Sequence, residues 1–294
     1  MSDDGTLTWR VLRAEASAEF GQPQGRWLCE EASGAFDDEF DALLDDPATE
    51  RSVAHLDAMT ARLRAGEPIQ YVLGHWSFRR LDLMVDGRVL IPRPETELLV
   101  ERAIAAVRGL DRDPGSPWYC ADLGTGSGAV GLSLLAELPR GAAEVWMTDV
   151  SLDALDVARA NLGGIGMAGA GARFAHGAWF DALPGDMRGL LHLVVSNPPY
   201  VADDDPALDA GVRDWEPHTA LFGGDDGLRD LRAIVGGAPG WLRPGGWLMV
   251  EIGSGLGAAV SGLMEEAGLV DVSVTPDLAG LDRIVSGRLP RSGA

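Results

Sequence analysis

Apolar residues recur at helical spacing through the first quarter of the chain, then give way to short apolar runs separated by glycines. The stretch DDEFDALLDDPATERSVAHLDAMTARLRAGEP places Phe40, Leu43 and Leu44, then Val53, Leu56, Met59 and Leu63, on helix faces. It predicts several short helices ending near Gly66-Glu67-Pro68, within a helical domain over residues 1–75. Residues 76–93, WSFRRLDLMVDGRVLIPR, alternate around Asp86-Gly87, a pair that favours the tight turn of a hairpin. This hairpin is expected to link the helical domain to a second domain over 94–294. That domain opens with PETELLVERAIAAV, a helix with Pro94 at its start and Leu98, Leu99, Ala103 and Val107 on its apolar side.

From about residue 118 the pattern becomes strand, glycine turn, helix, repeated. WYCADL, AEVWMTDV, ARFAHG, LLHLVVS and GGWLMVEIG read as strands. AVGLSLLAEL, SLDALDVARANL, LRDLRAIVGGAPGWL and LGAAVSGLMEEAG read as helices, the second opened by Ser151 as its cap. VDVSVTPD and LDRIVSGRL are expected to pair as a terminal antiparallel hairpin. Strands alternating with helices predict an α/β fold with a parallel sheet covered on both faces.

Composition narrows the setting. The chain is 294 residues long, 46% hydrophobic and 23% charged, as a globular protein is. It has no apolar run long enough to span a bilayer, and MSDDGTLTWR lacks the basic and apolar regions of a signal peptide. Cys29 and Cys120 form no CxxC, which with the missing leader points to a reduced, cytoplasmic protein. The five histidines show no metal-ligand spacing, so no metal is expected. All 24 basic residues are arginine, and the formal net charge is −21. A field of that sign repels nucleic acid, so no stable nucleic-acid binding is expected, and it attracts a basic protein partner.

The first strand ends in DLGTGSG, Asp122 to Gly128. Glycines there let the backbone approach a ligand and turn sharply into a helix N-terminus. Both NAD and S-adenosylmethionine sites use such turns, and a tight turn with no ligand has the same sequence. Asp122 ahead of the turn, with Thr125 and Ser127 inside it, suits the cationic amine of a methionine better than a pyrophosphate. Asp149 ends the next strand, where an acid takes ribose hydroxyls in such folds. It is also placed to cap the helix that follows.

A second stretch, VVSNPPYVAD, puts Asn197 at the carboxyl end of a buried strand, followed by Pro198, Pro199 and Tyr200. The prolines stiffen the loop and offer no N–H. The nitrogen of an amide or aromatic amine is a poor nucleophile, because its lone pair is delocalised. The Asn197 side-chain oxygen and the Pro198 carbonyl can each accept one N–H of such a group and hold it towards a sulfonium methyl. Tyr200 supplies a flat wall. An Asx-Pro turn is the plainer reading of the same residues.

SNPPY, DLGTGSGAVGLSLL, LIPRPETELLVE and WEPHTALFGGDDGL together resemble the protein-(glutamine-N5) methyltransferases of bacterial class I peptide chain release factors, the HemK/PrmC type. The resemblance runs from about Pro68 to Leu289, and the first helices match only in character. The Asn-Pro-Pro-Tyr motif alone is shared with amino-methyltransferases of nucleic-acid bases; Ile91 to Glu97 narrows the match. The resemblance implies a class I S-adenosylmethionine-dependent fold, Rossmann-like, with a mostly parallel seven-stranded sheet. It implies methyl transfer to the side-chain amide of the glutamine in a GGQ motif, with release factors as protein partners. It implies that Gly124, Thr125, Gly126, Ser127 and Gly128 line the methionine portion of the cofactor, Asp149 its ribose and Trp179 its adenine. Asn197, Pro198, Pro199 and Tyr200 would hold the glutamine, and Arg93 and Pro94 would close over it. Relatives usually carry Asp-Trp-Phe where this chain reads Ala178-Trp179-Phe180, so an acid near the adenine is missing; Asp181 is close by.

Glu251, ending WLMVE, is equally open to a surface role and to a place near the site. Glu216-Pro217 reads as structural, and Asp203-Asp204-Asp205 as a solvated loop. Competing functions are methylation of a nucleic-acid base, methylation of a ribosomal protein, and cofactor binding without catalysis. The charge opposes the first, the Ile91–Glu97 resemblance the second, and the presence of Asn197 with Asp149 the third.

Overall fold

The computed structural model describes residues 7–112 and 115–291. The chain divides into two compact units, Met1–His75 and Trp76–Ala294. The first holds α1 (Trp9–Phe20), α2 (Gln22–Ser33), α3 (Asp37–Ala42), α4 (Glu50–Arg64) and α5 (Ile69–Leu73). Its core joins Trp9, Leu12, Leu28, Phe40, Leu56 and Met59, with the Trp9 and Phe40 rings edge to face at 5.9 Å. Helices α1 and α2 pack closely because residue 25 is glycine: a Cβ there would lie 2.5 Å from Ser17. The helical pattern runs one turn further than the sequence suggested. Pro68 starts α5, and Arg62 holds it by donating to the carbonyls of Tyr71 and Val72.

From the last residue of the first unit the chain enters a two-stranded sheet of β1 (His75–Phe78) and β2 (Leu81–Met84). The hairpin is therefore shifted from its expected place, and the chain reverses at Arg79-Arg80. Arg79 takes a left-handed φ of 53°. Its backbone N–H donates to Glu97 and its guanidinium to Glu137, which fixes the reversal against two helices. Asp86-Gly87 makes a single turn, closed by Val89 N–H on the Asp86 carbonyl, with no strand beyond it. The alternation there reflects burial of Val85, Val89 and Ile91 rather than strand pairing.

Then follow α6 (Pro94–Arg108), β3 (Trp118–Leu123), α7 (Ala129–Glu137), β4 (Ala143–Asp149), α8 (Leu152–Leu162) and β5 (Ala172–His176). They are succeeded by β6 (Leu191–Ser196), α9 (Ala210–Trp215), α10 (His218–Leu221), α11 (Arg229–Gly237), β7 (Leu242–Glu251), α12 (Gly257–Glu266), β8 (Val270–Pro276) and β9 (Asp282–Arg288). The sheet order is β5-β4-β3-β6-β7-β9-β8. The first five strands pair in parallel, and the last two form the antiparallel edge. Successive side chains point to opposite faces, so Cys120, Leu193 and Val195 join one core with α6 and α7. Ala121, Leu123 and Val194 join the other with α11 and α12. Burying a side chain such as Leu123 contributes about 2 kcal/mol. The strand order reverses between β3 and β6, where ligands bind at the carboxyl ends of open α/β sheets.

Candidate active site

At that reversal lies a cavity of about 320 Å³, within the size range of small-molecule sites. One wall is the turn between β3 and α7. Gly124, Gly126 and Gly128 take φ values of 72°, 55° and 85°, a region that favours glycine. Each is tied down. The N–H groups of Gly124 and Thr125 donate to the Thr148 carbonyl, and Gly126 N–H donates to Asp149 Oδ2 at 2.9 Å. Gly128 N–H closes back on the Thr125 carbonyl at 2.8 Å. Asn161 of α8 completes the brace, donating to the carbonyls of Ser127 and Met84.

Two carboxylates reach this wall. Asp122 is buried, and its Oδ2 accepts from Thr125 Oγ1 at 2.6 Å and Gly131 N–H at 2.9 Å. Burial pushes its carboxyl up to about 6. Asp149 Oδ1 accepts from Ser151 N–H at 2.9 Å, and its carboxyl too is raised by burial. The cap of α8 is Ser151, which accepts from Ala154 N–H, so Asp149 braces the turn into the helix and not the helix itself. Both carboxylates line the cavity. A cationic ligand there would favour their ionised forms.

Trp179 stands opposite the glycine turn with φ 47°, a strained conformation for a bulky residue. A Cβ on Gly124 would lie 3.2 Å from its ring. Ala178 lines the cavity beside it, and Asp181 is exposed.

The third wall is the loop after β6. Ser196 Oγ donates to the Leu123 carbonyl at 2.6 Å, binding the ends of β6 and β3 together. Asn197 and Pro199 line the cavity, while Pro198 and Tyr200 lie outside its lining. A downstream segment covers the loop. Val201 N–H donates to the Leu221 carbonyl, and Gly223 N–H donates to the Val201 carbonyl. A Cβ on Gly223 would lie 2.5 Å from the Pro199 carbonyl oxygen, and one on Gly227 would collide with that of Tyr200.

The segment before α6 supplies the last wall through Arg88, Val89, Leu90 and Pro92, joined by Thr96 from the first turn of α6. Arg93 and Pro94 are not in the lining. The Arg93 guanidinium pairs with Glu216, whose other oxygen accepts from Ile91 N–H at 3.1 Å. The structural reading of Glu216 is thus given a definite form. Pro94 is the first residue of α6.

Thr96 had no role in the sequence pattern, and Glu251 was open between the surface and the site. Thr96 accepts from Asn197 Nδ2 at 3.2 Å and donates to Glu251 Oε2 at 2.7 Å. Glu251 is not on the surface; it is 1% exposed and also accepts from Tyr200 at 3.3 Å. An acid ending an otherwise apolar strand, at the carboxyl edge of a buried sheet, was the available signal. Thr96 on the apolar side of α6 was another.

The two carboxylates and the Trp179 ring, which line one cavity with the glycine turn, fit an adenosyl ligand with a cationic amino-acid end. Fold and site define a class I S-adenosylmethionine-dependent methyltransferase. The Methyltransferase small domain family matches residues 110–213. The release factor glutamine methyltransferase of Xylella fastidiosa (strain 9a5c) is 42% identical over 246 residues, covering 84% of this chain and 85% of that protein. That of Geobacter sulfurreducens is 38% identical over 285 residues, covering 96% and 95%. A crystal structure of a methyltransferase from Pyrococcus furiosus superposes with a TM-score of 0.52 at 15% identity, over 80% of this chain and 99% of that one. The chain belongs to the release factor glutamine methyltransferase family. Among the described residues no helix is long and apolar enough to cross a membrane.

Proposed function

We propose that the chain methylates the side-chain amide nitrogen of the glutamine in the GGQ motif of class I peptide chain release factors, in the cytoplasm, giving N5-methylglutamine and S-adenosylhomocysteine. The observation that carries the reading is Asn197 beside the glycine turn, at the carboxyl end of the strand next to β3. S-adenosylmethionine, when bound, supplies the electrophilic methyl. Gly124 to Gly128 and Asp122 would hold its methionine portion, Asp149 its ribose and Trp179 its adenine.

The protein's own part is positioning. Asn197 Oδ1 and the Pro198 carbonyl accept the two N–H bonds of the glutamine amide and hold its nitrogen in line for attack. These acceptors favour rehybridisation and stabilise the positive charge that develops on the nitrogen as the new N–C bond forms and the bond from sulfur to methyl breaks, after which the nitrogen releases one proton to solvent. Tyr200 belongs to the same glutamine-binding loop. Arg93, paired with Glu216, and Pro94 at the start of α6 shape the approach to it. Residues 1–75 are assigned to recognition of the release factor away from the glutamine, because one loop gives little area and specific protein recognition needs roughly 800 Å² per partner. A charge of −21 disfavours a nucleic-acid substrate.

The test is transfer of labelled methyl to an intact release factor, to its GGQ→GGA variant, to ribosomal protein and to DNA or RNA in separate reactions. Label on the first alone supports the reading; label that persists on the GGA variant, or goes only to the others, overturns it.

A further inference from the structure

Thr96 lies in the first turn of α6, and Glu251 is the last residue of β7. Their side chains are hydrogen-bonded to each other, and Thr96 is bonded in turn to Asn197. A threonine hydroxyl has one proton and an ionised carboxylate has none. The 2.7 Å bond between Thr96 and Glu251 therefore uses the Thr96 proton. The 3.2 Å contact between Thr96 and Asn197 must then be a donation from the Asn197 amide NH₂. The chain of hydrogen bonds has a direction, and the carboxylate at its far end sets it. We infer that Thr96 and Glu251 are positioning residues that orient the Asn197 amide so that its oxygen, and not its nitrogen, faces the substrate.

The consequence follows from the two ends of an amide. Turned over, Asn197 would place Oδ1 against a hydroxyl oxygen whose proton is already committed, and would present N–H groups to the N–H groups of the glutamine. A neutral partner at position 251 lifts this constraint. A protonated Glu251, or a glutamine in its place, can donate to Thr96 and free the hydroxyl proton for Asn197 Oδ1. Both amide orientations then become compatible with the network.

The surroundings keep Glu251 close to that change. Burial pushes its carboxyl up to about 7, Glu95 of α6 adds to the rise, and Arg283 of β9 opposes it. The Tyr200 hydroxyl donates to its second oxygen, and Arg283 is itself engaged by Asp277.

The inference rests on glutamine being the substrate, and the experiment separates the two. Thr96→Val, Thr96→Ser and Glu251→Gln are made in the full chain and assayed with an intact release factor between about pH 5.5 and 9. Thr96→Val and Glu251→Gln are expected to lower kcat by about twofold or more, the loss when both orientations of the amide are populated, with the dissociation constant for S-adenosylmethionine within about twofold of the parent. Thr96→Ser keeps the hydroxyl and retains most of the rate. The parent's kcat rises with pH through about 7, as Glu251 ionises, and this rise is absent from Thr96→Val. Side-chain amide NMR of Asn197 reads the network with no substrate present: its signals shift with pH through the same range in the parent and not in Thr96→Val. A Thr96→Val enzyme with the parent's kcat and pH profile overturns the inference. So do Asn197 signals insensitive both to pH and to Thr96→Val. A parent enzyme that never methylates the release factor, yet shows the Asn197 titration, overturns the substrate reading and leaves the orientation of Asn197 standing.

Discussion

The ring of Trp179 occupies the space that a side chain on Gly124 would need, with Cζ3 3.2 Å from the position of a Cβ. One residue is held at φ 72° and the other at φ 47°, so neither has a low-cost way to yield. Gly124→Ala is expected to weaken S-adenosylmethionine binding at least tenfold, or by about 1.4 kcal/mol. Calorimetry on the folded variant checks this, and an unchanged dissociation constant would show that the turn and the ring do not jointly form the cofactor wall.

Asn197→Ala should remove transfer while sparing the cofactor. The side chain faces the cavity and bonds to Thr96, but the glycine turn does not depend on it. Losing a partner placed for the transition state costs on the order of 3 kcal/mol, about a hundredfold in kcat. Single-turnover methylation together with a binding isotherm measures both halves. Equal loss in rate and affinity would move Asn197 from the substrate to the cofactor.

Asp149→Ala should damage both affinity and stability, since one carboxylate receives Gly126 N–H and Ser151 N–H. Ribose hydroxyls on its remaining lone pairs would add charge-assisted bonds of roughly 1.5–3 kcal/mol each. The dissociation constant should rise at least tenfold and the melting temperature fall. Asp149→Asn, which can still accept one N–H, should recover part of the melting temperature and little of the affinity. A lowered melting temperature with unchanged affinity would leave Asp149 as a brace alone.

Stability should fall as pH rises from about 4.5 to 7. Burial raises Asp122 from 3.8 to about 6 and Glu251 from 4.5 to about 7. A carboxyl whose folded value lies above its unfolded one binds a proton more tightly when folded. Its contribution is complete below the unfolded value and is lost as pH passes through the folded one. Relief of self-repulsion on the approach to pH 4.5 acts in the same direction. The informative measurement is thus the difference between parent and Glu251→Gln in denaturant melts. The variant should have a shallower slope between about pH 5 and 7. Parallel curves would mean that Glu251 has an ordinary value.

The sheet strands and the longer helices from Trp118 onward were legible because apolar runs, glycine turns and the Ser151 cap agree with one another, whereas the short α9 and α10 were not. Local signals failed where a long-range contact decided the outcome. Asp86-Gly87 has hairpin chemistry, yet Arg79, held by Glu97 and Glu137, reverses the chain earlier. Asn197 and the glycine turn were visible as contiguous motifs. The link between Thr96 and Glu251 was not, since they are 155 residues apart and joined by one hydrogen bond that no local pattern encodes.

The two carbonyls that follow Pro198 are roofed by glycines, Gly223 over Pro199 and Gly227 over Tyr200. Any side chain at either position would press on backbone, which cannot swing aside as a flexible side chain can. The Asn-Pro-Pro-Tyr tetrapeptide therefore has a lid written more than twenty residues downstream, and that lid requires glycine at both positions. A chimaera that takes residues 197–200 from one relative and 221–228 from another should fold around its loop only if the donor of the second piece kept both glycines. Recombination breakpoints between the two are tolerable; substitution at the lid is not.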